Sequence, residues 1–296
     1  MSVRASEIAL PTPAAAEPRW ARLRRLTRDP LGLVGLVLVA TVAAMAIGAD
    51  WLTGYSPTTL NVRERLLDPS WRHLLGTDHL GRDIFTRVVF GARIALGVAL
   101  ASTGLALVAG LALGLSAGYG PRWLDNLLIL VFDTVRSYPT IMFALAVVTL
   151  VGPSLYTIAL VIVVTTMPNY GRIVRTQTLS LKTSEFVLAE RSMGAGPLTV
   201  LGVHVLPNVV GPLLILASMD VAAAVAIEAG LSFLGLGVRP PTPSWGTILN
   251  DGYAYVRLTP WLIVAGTGAL IVTTLGFTFL GEALRDMLDP KLRRSI

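Results

Sequence analysis

The chain has 296 residues, of which 53% are hydrophobic and 14% charged, with a formal net charge of +6 and no cysteine. Soluble domains carry about 25% charged residues; here the deficit falls in long uncharged runs, which excludes an ordinary soluble domain and places the chain in a bilayer. Absence of cysteine rules out disulfides and thiolate metal sites, and the cations, nearly all arginine, flank apolar runs rather than forming a basic nucleic-acid surface.

Residues 1–18 contain Ala, Pro and Glu without an apolar period and read as a disordered tail. Six arginines, from Arg4 to Arg28, precede Leu31–Ala49, an uncharged run of 19 residues. At about 1.5 Å per residue this covers a hydrocarbon core of about 30 Å. Both the basic region and the apolar run are long for a signal peptide, so the first span is expected to be uncleaved. Residues 51–93 interleave six arginines with Glu64, Asp68, Asp78 and Asp83, which predicts a folded external loop. Ile94–Ala117 is the second span. No residue between Ser137 and Gly171 is charged, and Gly152-Pro153-Ser154 divides that stretch. Leu127–Val151 and Leu155–Gly171 are therefore expected as a tight hairpin of the third and fourth spans. Val209–Gly230 and Leu258–Gly281 complete six. Ser192–Met219 could replace the fifth by hydropathy, but Pro207 favours a helix start there, and either choice keeps the count and orientation. With the N-terminus inside, fifteen Arg and Lys fall on the cytoplasmic side and eight outside, Arg136 lying within a span. This bias puts both termini in the cytoplasm.

Between the fourth and fifth spans stands Phe186-Val-Leu-Ala-Glu-Arg-Ser-Met-Gly194. Ser184 is placed to cap a helix, with Glu185 in its first turn. Phe186, Ala189 and Met193 recur at i, i+3 and i+7, on one face. Gly194 supplies a left-handed terminator, and Pro197 can start another turn. The product is a short amphipathic helix outside the spans; an interfacial helix resting in the headgroups would look similar, though it would need no fixed spacing to Leu206-Pro207.

Charges inside spans are costly, and each requires an explanation. Asp220 falls about 17 Å into the fifth span, near its middle: either a carboxylate hydrogen-bonded within the bundle or one facing a translocation pathway. Glu228 lies two turns further, as a gate residue or a helix-end ion pair, the structural role being favoured. Asp133 and Arg136 are placed to pair along one helix. His73 and His79, six residues apart, do not have metal-site spacing and read as loop-fixing or solvated residues. Lys182-Thr183 is the sole Lys-[Ser/Thr] pair, and the positions before it lack the glycines of a phosphate-binding loop. The chain carries no ATPase of its own and no cofactor or metal site.

The spacing Leu188-Ala189-Glu190, Gly194, His204, Leu206-Pro207 resembles the cytoplasmic coupling loop of ABC-importer permeases. That family's pattern runs Glu-Ala-Ala, three residues, Gly, nine residues, an often hydrophobic residue, one residue, Leu-Pro. Leu75-Gly-Thr-Asp78 and Leu80-Gly-Arg-Asp83, Glu228–Gly237 followed by Pro243-Ser-Trp-Gly246, Leu284-Arg-Asp286 with Leu288-Asp-Pro290, and Arg28-Asp-Pro-Leu31 resemble segments of the C-type subunit of dipeptide/oligopeptide permeases. The resemblance covers about residues 25–292. It departs at Leu188, where the family has Glu, and at Glu190, where it has a small residue.

This resemblance implies an all-α integral membrane protein of six transmembrane helices, with an importer-permease (MetI-like) fold, an extra N-terminal span and a cytoplasmic coupling helix. It implies a cytoplasmic tail (1–30), a first span with external loop (31–93), a permease core (94–282) containing the coupling loop (172–207), and a second tail (283–296), in a bacterial inner membrane. Phe186, Ala189, Glu190, Met193, Gly194, Leu206 and Pro207 would form the ATPase-coupling contact, with Glu190 at its rim. Asp220 and Glu228 are the candidate pathway residues. The implied partners are a homologous second permease subunit, two cytoplasmic ATPase subunits carrying ATP and Mg, an external solute-binding protein and a peptide substrate, with nickel or glutathione as alternative cargo. An ion-coupled secondary transporter using Asp220 would be expected to show an inverted repeat, which is not found. A membrane enzyme finds no catalytic constellation in the spans.

Overall fold

The computed structural model describes residues 29–288. The expected N-terminal disordered tail, and the tail beyond residue 288, lie outside them. Helix α1 spans Pro30–Ile47, α2 Ile84–Tyr119, α3 Arg122–Arg136, α4 Thr140–Val151, α5 Leu155–Lys182, α6 Glu185–Ser192, α7 Leu206–Phe233, α8 Trp245–Tyr255 and α9 Trp261–Leu288. Five helices are long and apolar enough to cross a membrane, and six crossings result if the bent pair α3 and α4 counts as one broken span. No strand forms among the described residues; a lone bridge joins Thr77 to Asp83.

Local chemistry sets the helix starts. The Asp29 carboxylate accepts from the Gly32 amide at 2.9 Å, and Pro30 occupies the first turn of α1. Asp83 accepts from the Thr86 amide and hydroxyl, both at 2.7 Å, and Ser244 forms a reciprocal capping box with Thr247. Helix α2 has 36 residues, about 54 Å at 1.5 Å per residue, so it extends well beyond a hydrocarbon core.

The third span differs from the expectation of one straight helix over 127–151. The chain bends by 91° between α3 and α4. Pro139 has no amide proton to continue the hydrogen-bond ladder and disfavours helical backbone at Tyr138. The fourth span also overruns its predicted end at Gly171, continuing as α5 to Lys182, so the first part of the presumed coupling loop is helix. Its successor has no fresh start at Pro207: a turn at Pro197–Thr199 and a π-helical turn at Val200–Val205 lead directly into α7.

Helices α2 and α5 pack closely and run parallel. Gly110, Gly114 and Gly118 form one face of α2, where added Cβ atoms would come within 2.5–2.6 Å of Tyr170, Gly171 and Thr178 on α5. Small residues at four-residue spacing permit this approach of backbones. On α1 and α9, which run antiparallel, Gly35 and Gly276 have the same function. The pairings define two ends. At the loop end, Trp245 Nε1 donates to the Val88 carbonyl at 2.9 Å, Arg93 Nε to the Ala46 carbonyl at 2.9 Å, and Trp261 Nε1 to Asp68 at 3.2 Å. At the opposite end, Lys182 Nζ donates to the Tyr119 carbonyl at 3.2 Å. Pro30 and Leu288 both lie toward this opposite end, as does α6.

Candidate functional site: the α6 segment and the α7 axis

Helix α6 starts at Ser184, but this residue does not cap it. The Ser184 hydroxyl donates backwards to the Leu181 carbonyl at 2.6 Å, leaving the first-turn amides without a side-chain cap. Gly194 ends the segment as expected, in the left-handed region at φ 95°, and the Ala195 amide closes onto the Glu190 carbonyl at 3.0 Å.

One residue anchors the helix. Val187 is wholly buried and joins Val200, Val205, Val209 and Leu213 with Tyr170 and Val174 in a second apolar core, distinct from the larger one nearer the loop end. Around it, Phe186, Leu188 and Met193 are exposed by 47%, 48% and 74%, and Leu198, just beyond, by 85%. Phe186, Ala189, Met193 and Gly194 thus come together on one uncovered ridge, while Leu206 and Pro207 stand apart from it at the root of α7. Glu190 lies at the side, its carboxylate 3.8 Å from His204 Nε2; His204 also meets the Phe186 ring edge-on at 5.8 Å.

The helices beneath this segment are cross-braced. Asp125 on α3 pairs with Arg175 on α5, the Nη2 contact being 2.7 Å. Asp133 pairs with Arg172 on α5, correcting the expected Asp133–Arg136 pair on one helix. Lys182 lies over the Tyr119 ring at 5.0 Å.

The two carboxylates of α7 differ. Asp220 is half-buried, beside the Tyr170 hydroxyl of α5. Glu228 is fully buried and accepts from the Ser232 hydroxyl at 2.8 Å. It forms no ion pair among the described residues, so the helix-end ion-pair reading is replaced by an internal hydrogen bond to Ser232.

At the loop end, the predicted folded loop is built on buried charge. Asp78 is fully buried; it accepts from Arg82 Nε at 2.6 Å, from Arg87, and from the Leu80 and Arg82 amides at 2.8 and 2.9 Å. Burial alone would raise the Asp78 pKa, but the Arg87 and Arg82 charges and these amides outweigh it and hold the carboxyl below its usual range. Asp251 of α8 completes the cluster, 3.4 Å from Arg82 and 3.3 Å from Arg87. His73 is buried and fixed by Asp83 at 2.9 Å, and His79 stacks on Tyr255 at 4.9 Å. Asp78, His79 and Asp251 converge within 4.8 Å, but the oxygens of Asp78 are committed to guanidiniums and amides, so the group does not suit a cation. Sequence reasoning missed this cluster because its fourth member is more than 160 residues away. It also missed the α2 glycine face, which the four-residue spacing of Gly110, Gly114 and Gly118 displays.

Known proteins resemble the chain over most of its length. Residues 110–294 match the family described as "binding-protein-dependent transport system inner membrane component", and residues 19–69 match the "N-terminal TM domain of oligopeptide transport permease C". A dipeptide transport system permease protein of Alkalihalophilus pseudofirmus is 37% identical over 279 residues, covering 94% of this chain and 92% of that protein. The oligopeptide transport system permease protein of Bacillus subtilis is 36% identical over 91% of this chain and 88% of its own length. A glutathione transport system permease protein of Pectobacterium atrosepticum is 36% identical over 91% and 90%. In fold, the chain resembles the MetNI methionine ABC transporter in an inward-facing form, with TM-score 0.56 and 19% identity, over 69% of this chain and 97% of the other. A bundle of apolar crossings, an N-terminal helix of the permease C kind and relatives aligned over nearly the whole chain identify the molecule as a membrane permease subunit rather than an enzyme: it belongs to the inner-membrane components of binding-protein-dependent ABC importers, in the oligopeptide permease C branch.

Proposed function

We propose that this chain forms half of the translocation pathway of an ATP-driven importer of di- and oligopeptides, and that the α6 segment, residues 184–196, is where a cytoplasmic ATPase subunit grips it. The observation that carries this reading is the two-sidedness of α6: Val187 is fixed in the core while Phe186, Leu188 and Met193 stand uncovered beside it. An apolar ridge on a segment outside the spans calls for a partner surface. Relatives named as dipeptide and oligopeptide permeases support the peptide cargo. The glutathione permease relative supports a second reading, in which the cargo is that modified tripeptide.

In this mechanism ATP and Mg are held by two partner ATPase subunits, a second permease completes the pathway, and an external solute-binding protein delivers cargo. The α6 end of the bundle faces the cytoplasm, together with both termini. Closure of the ATPase subunits displaces α6. Because Val187 is packed on Val200, Val205 and Val209, displacement passes through the π-helical turn into α7, and through Tyr170 and Val174 into α5. The crossings then rock between two states as packed bodies. Asp220, half-buried beside Tyr170, is the α7 carboxylate available to a peptide amino group; Glu228 is enclosed and serves packing.

The test is to express the permease with its ATPase and partner subunits. Gly194→Pro, or deletion of residues 185–196, should abolish co-purification of the ATPase and ATP-driven peptide uptake. Uptake that survives the deletion overturns the coupling assignment. Competition by di- and tripeptides against glutathione decides the cargo. Asp220→Asn should alter uptake of peptides with a free amino group more than of acetylated ones; equal effects remove Asp220 from the pathway.

A further inference from the structure

Helix α6 is eight residues long, and Val187 is its one buried side chain. Apolar contact is non-directional, so this anchor holds α6 against the bundle but lets it pivot. A second attachment lies to one side. His204, in the π-helical turn at Val200–Val205, meets two residues of α6 at once. The Phe186 ring approaches its ring edge-on at 5.8 Å, and the Glu190 carboxylate lies 3.8 Å from its Nε2. Phe186 and Glu190 are four residues apart and neighbours on one helix face, so one turn of α6 straddles His204.

The contact continues into α7. The Asn208 side-chain amide donates to the His204 carbonyl at 2.7 Å, and Asn208 stands in the first turn of α7. Glu190, His204 and Asn208 therefore join α6, the π-helical turn and α7 by polar contacts, beside the apolar route through Val187. A proton on Nε2 faces the carboxylate in the imidazolium and in one neutral tautomer. The His204 and Glu190 side chains are 21% and 38% exposed, so their attraction is only partly screened. Both residues are also departures from the coupling-loop pattern, which has a small residue at position 190 and often a hydrophobic one at 204. The two departures meet in space.

We propose that Glu190 and His204 are a positioning pair that fixes the angle of α6 on α7, so that displacement of α6 moves α7 instead of being lost as pivoting about Val187. The pair is an internal tie, and Glu190 is not part of the surface gripped by the ATPase. The proposal rests on the coupling reading above.

The experiment uses the assembled complex of both permeases and both ATPase subunits in proteoliposomes, with solute-binding protein and tri-alanine. Glu190→Ala removes the carboxylate, and His204→Leu removes the imidazole while keeping an apolar neighbour for Phe186. Each alone should lower tri-alanine imported per ATP hydrolysed about two- to fivefold, the range of a partly exposed ion pair, with ATPase co-purification unchanged. Amide hydrogen exchange at Leu188 and Met193 should quicken by a similar factor, and Glu190→Ala should add nothing in the His204→Leu background. Swapping the pair, Glu190→His with His204→Glu, should restore part of both readouts. Additive effects on amide exchange, or a swap that rescues neither readout, overturn the tie. Loss of ATPase co-purification in Glu190→Ala places this residue in the ATPase contact and overturns the assignment. Quickened amide exchange with import per ATP unchanged in every variant overturns the positioning role. A non-additive cycle in a complex whose uptake survives deletion of residues 185–196 upholds the tie and refutes the coupling reading instead.

Discussion

Val187→Ala separates the anchoring of α6 from its use as a contact. Val187 is 0% exposed and lies among Val200, Val205, Val209 and Leu213. Truncation removes two carbons, each worth about 0.8 kcal/mol when buried, and leaves a small void that adds a fraction more. The sum is about 2 kcal/mol against the docked state of α6. At 1.4 kcal/mol per tenfold, the equilibrium constant for undocking rises roughly 25-fold. Amide hydrogen exchange reads this directly, because local opening sets the exchange of α6 amides. The amides of Leu188 and Met193, bonded to the Ser184 and Ala189 carbonyls at 3.0 Å each, should exchange roughly 25-fold faster in the variant, while α2 amides keep their protection. Phe186→Ala is the counterpart. Its ring is 47% exposed and touches its own chain mainly edge-on at His204. Exchange in α6 should change less than about threefold, yet association with the ATPase should weaken. The reasoning fails if Val187→Ala leaves α6 exchange within threefold of wild type, or if Phe186→Ala accelerates it as strongly.

Two further perturbations probe the frame that holds α6 and the loop end. Asp78→Asn leaves Arg82 and Arg87, 5% and 2% exposed, sharing only Asp251; breaking such a buried arrangement costs about 3–5 kcal/mol, seen as a lowered thermal midpoint and rapid proteolysis between residues 53 and 83. Because the folded pKa of Asp78 is depressed, its contribution is complete above the unfolded value of about 3.9 and is lost as pH falls through the lower folded value. Proteolytic resistance of this segment should therefore hold from neutral pH to about pH 4 and decline only below it; a decline between pH 7 and 5 would contradict the assignment. Gly171→Ala places a Cβ 2.5 Å from Cζ of Phe132, which is itself 0% exposed, and should cost about 1–3 kcal/mol. Gly97→Ala, in the same bundle with nothing within 4 Å, should be neutral or stabilising by up to about 1 kcal/mol, as compared by thermal midpoints in one detergent.

The legible parts of this fold were those set by local chemistry. Uncharged runs gave the crossings because span length is a matter of bilayer thickness, and Gly194 gave the end of α6 because a left-handed residue there favours glycine. Pro139 was equally visible, yet the apolar run continued through it, and hydropathy registers no change of direction; the 91° bend follows from proline geometry, not from composition. Ser184 sits where a cap is expected, but its hydroxyl has a carbonyl one turn back within 2.6 Å, and nothing local decides between the two bonds. The anchor of α6 was not legible for a related reason. Periodicity selected Phe186, Ala189 and Met193 as the apolar face, and on a surface helix such a face ordinarily turns inward. Here it turns outward and the adjacent Val187 turns in, into the cluster of Val200, Val205 and Val209.

These placements make α7 a member held at both ends by different chemistry. At one end, Val200, Val205 and Val209 join it to α6 through apolar contact, which is non-directional and permits small sliding. At the other, Glu228 and Ser232 are buried, Gly246 of α8 would bring a Cβ within 2.7 Å of Ser232, and Trp245 is tied to Val88, a close-packed and hydrogen-bonded junction in which a shift breaks specific bonds. The proposed push at α6 would therefore meet a compliant joint first and a stiff one last. Between them lie the π-helical turn at 200–205 and Pro212 inside α7, both points where the backbone ladder is weakened and a helix bends at low cost. Bending should accordingly concentrate near the α6 end, with the loop-end junction moving as one piece with α2 and α8. Paired spin labels at positions 198 and 214 should change separation between nucleotide-free and ATP-bound complexes, whereas labels at 90 and 253 should not. The opposite pattern would place the hinge at the loop end and remove the lever from α7.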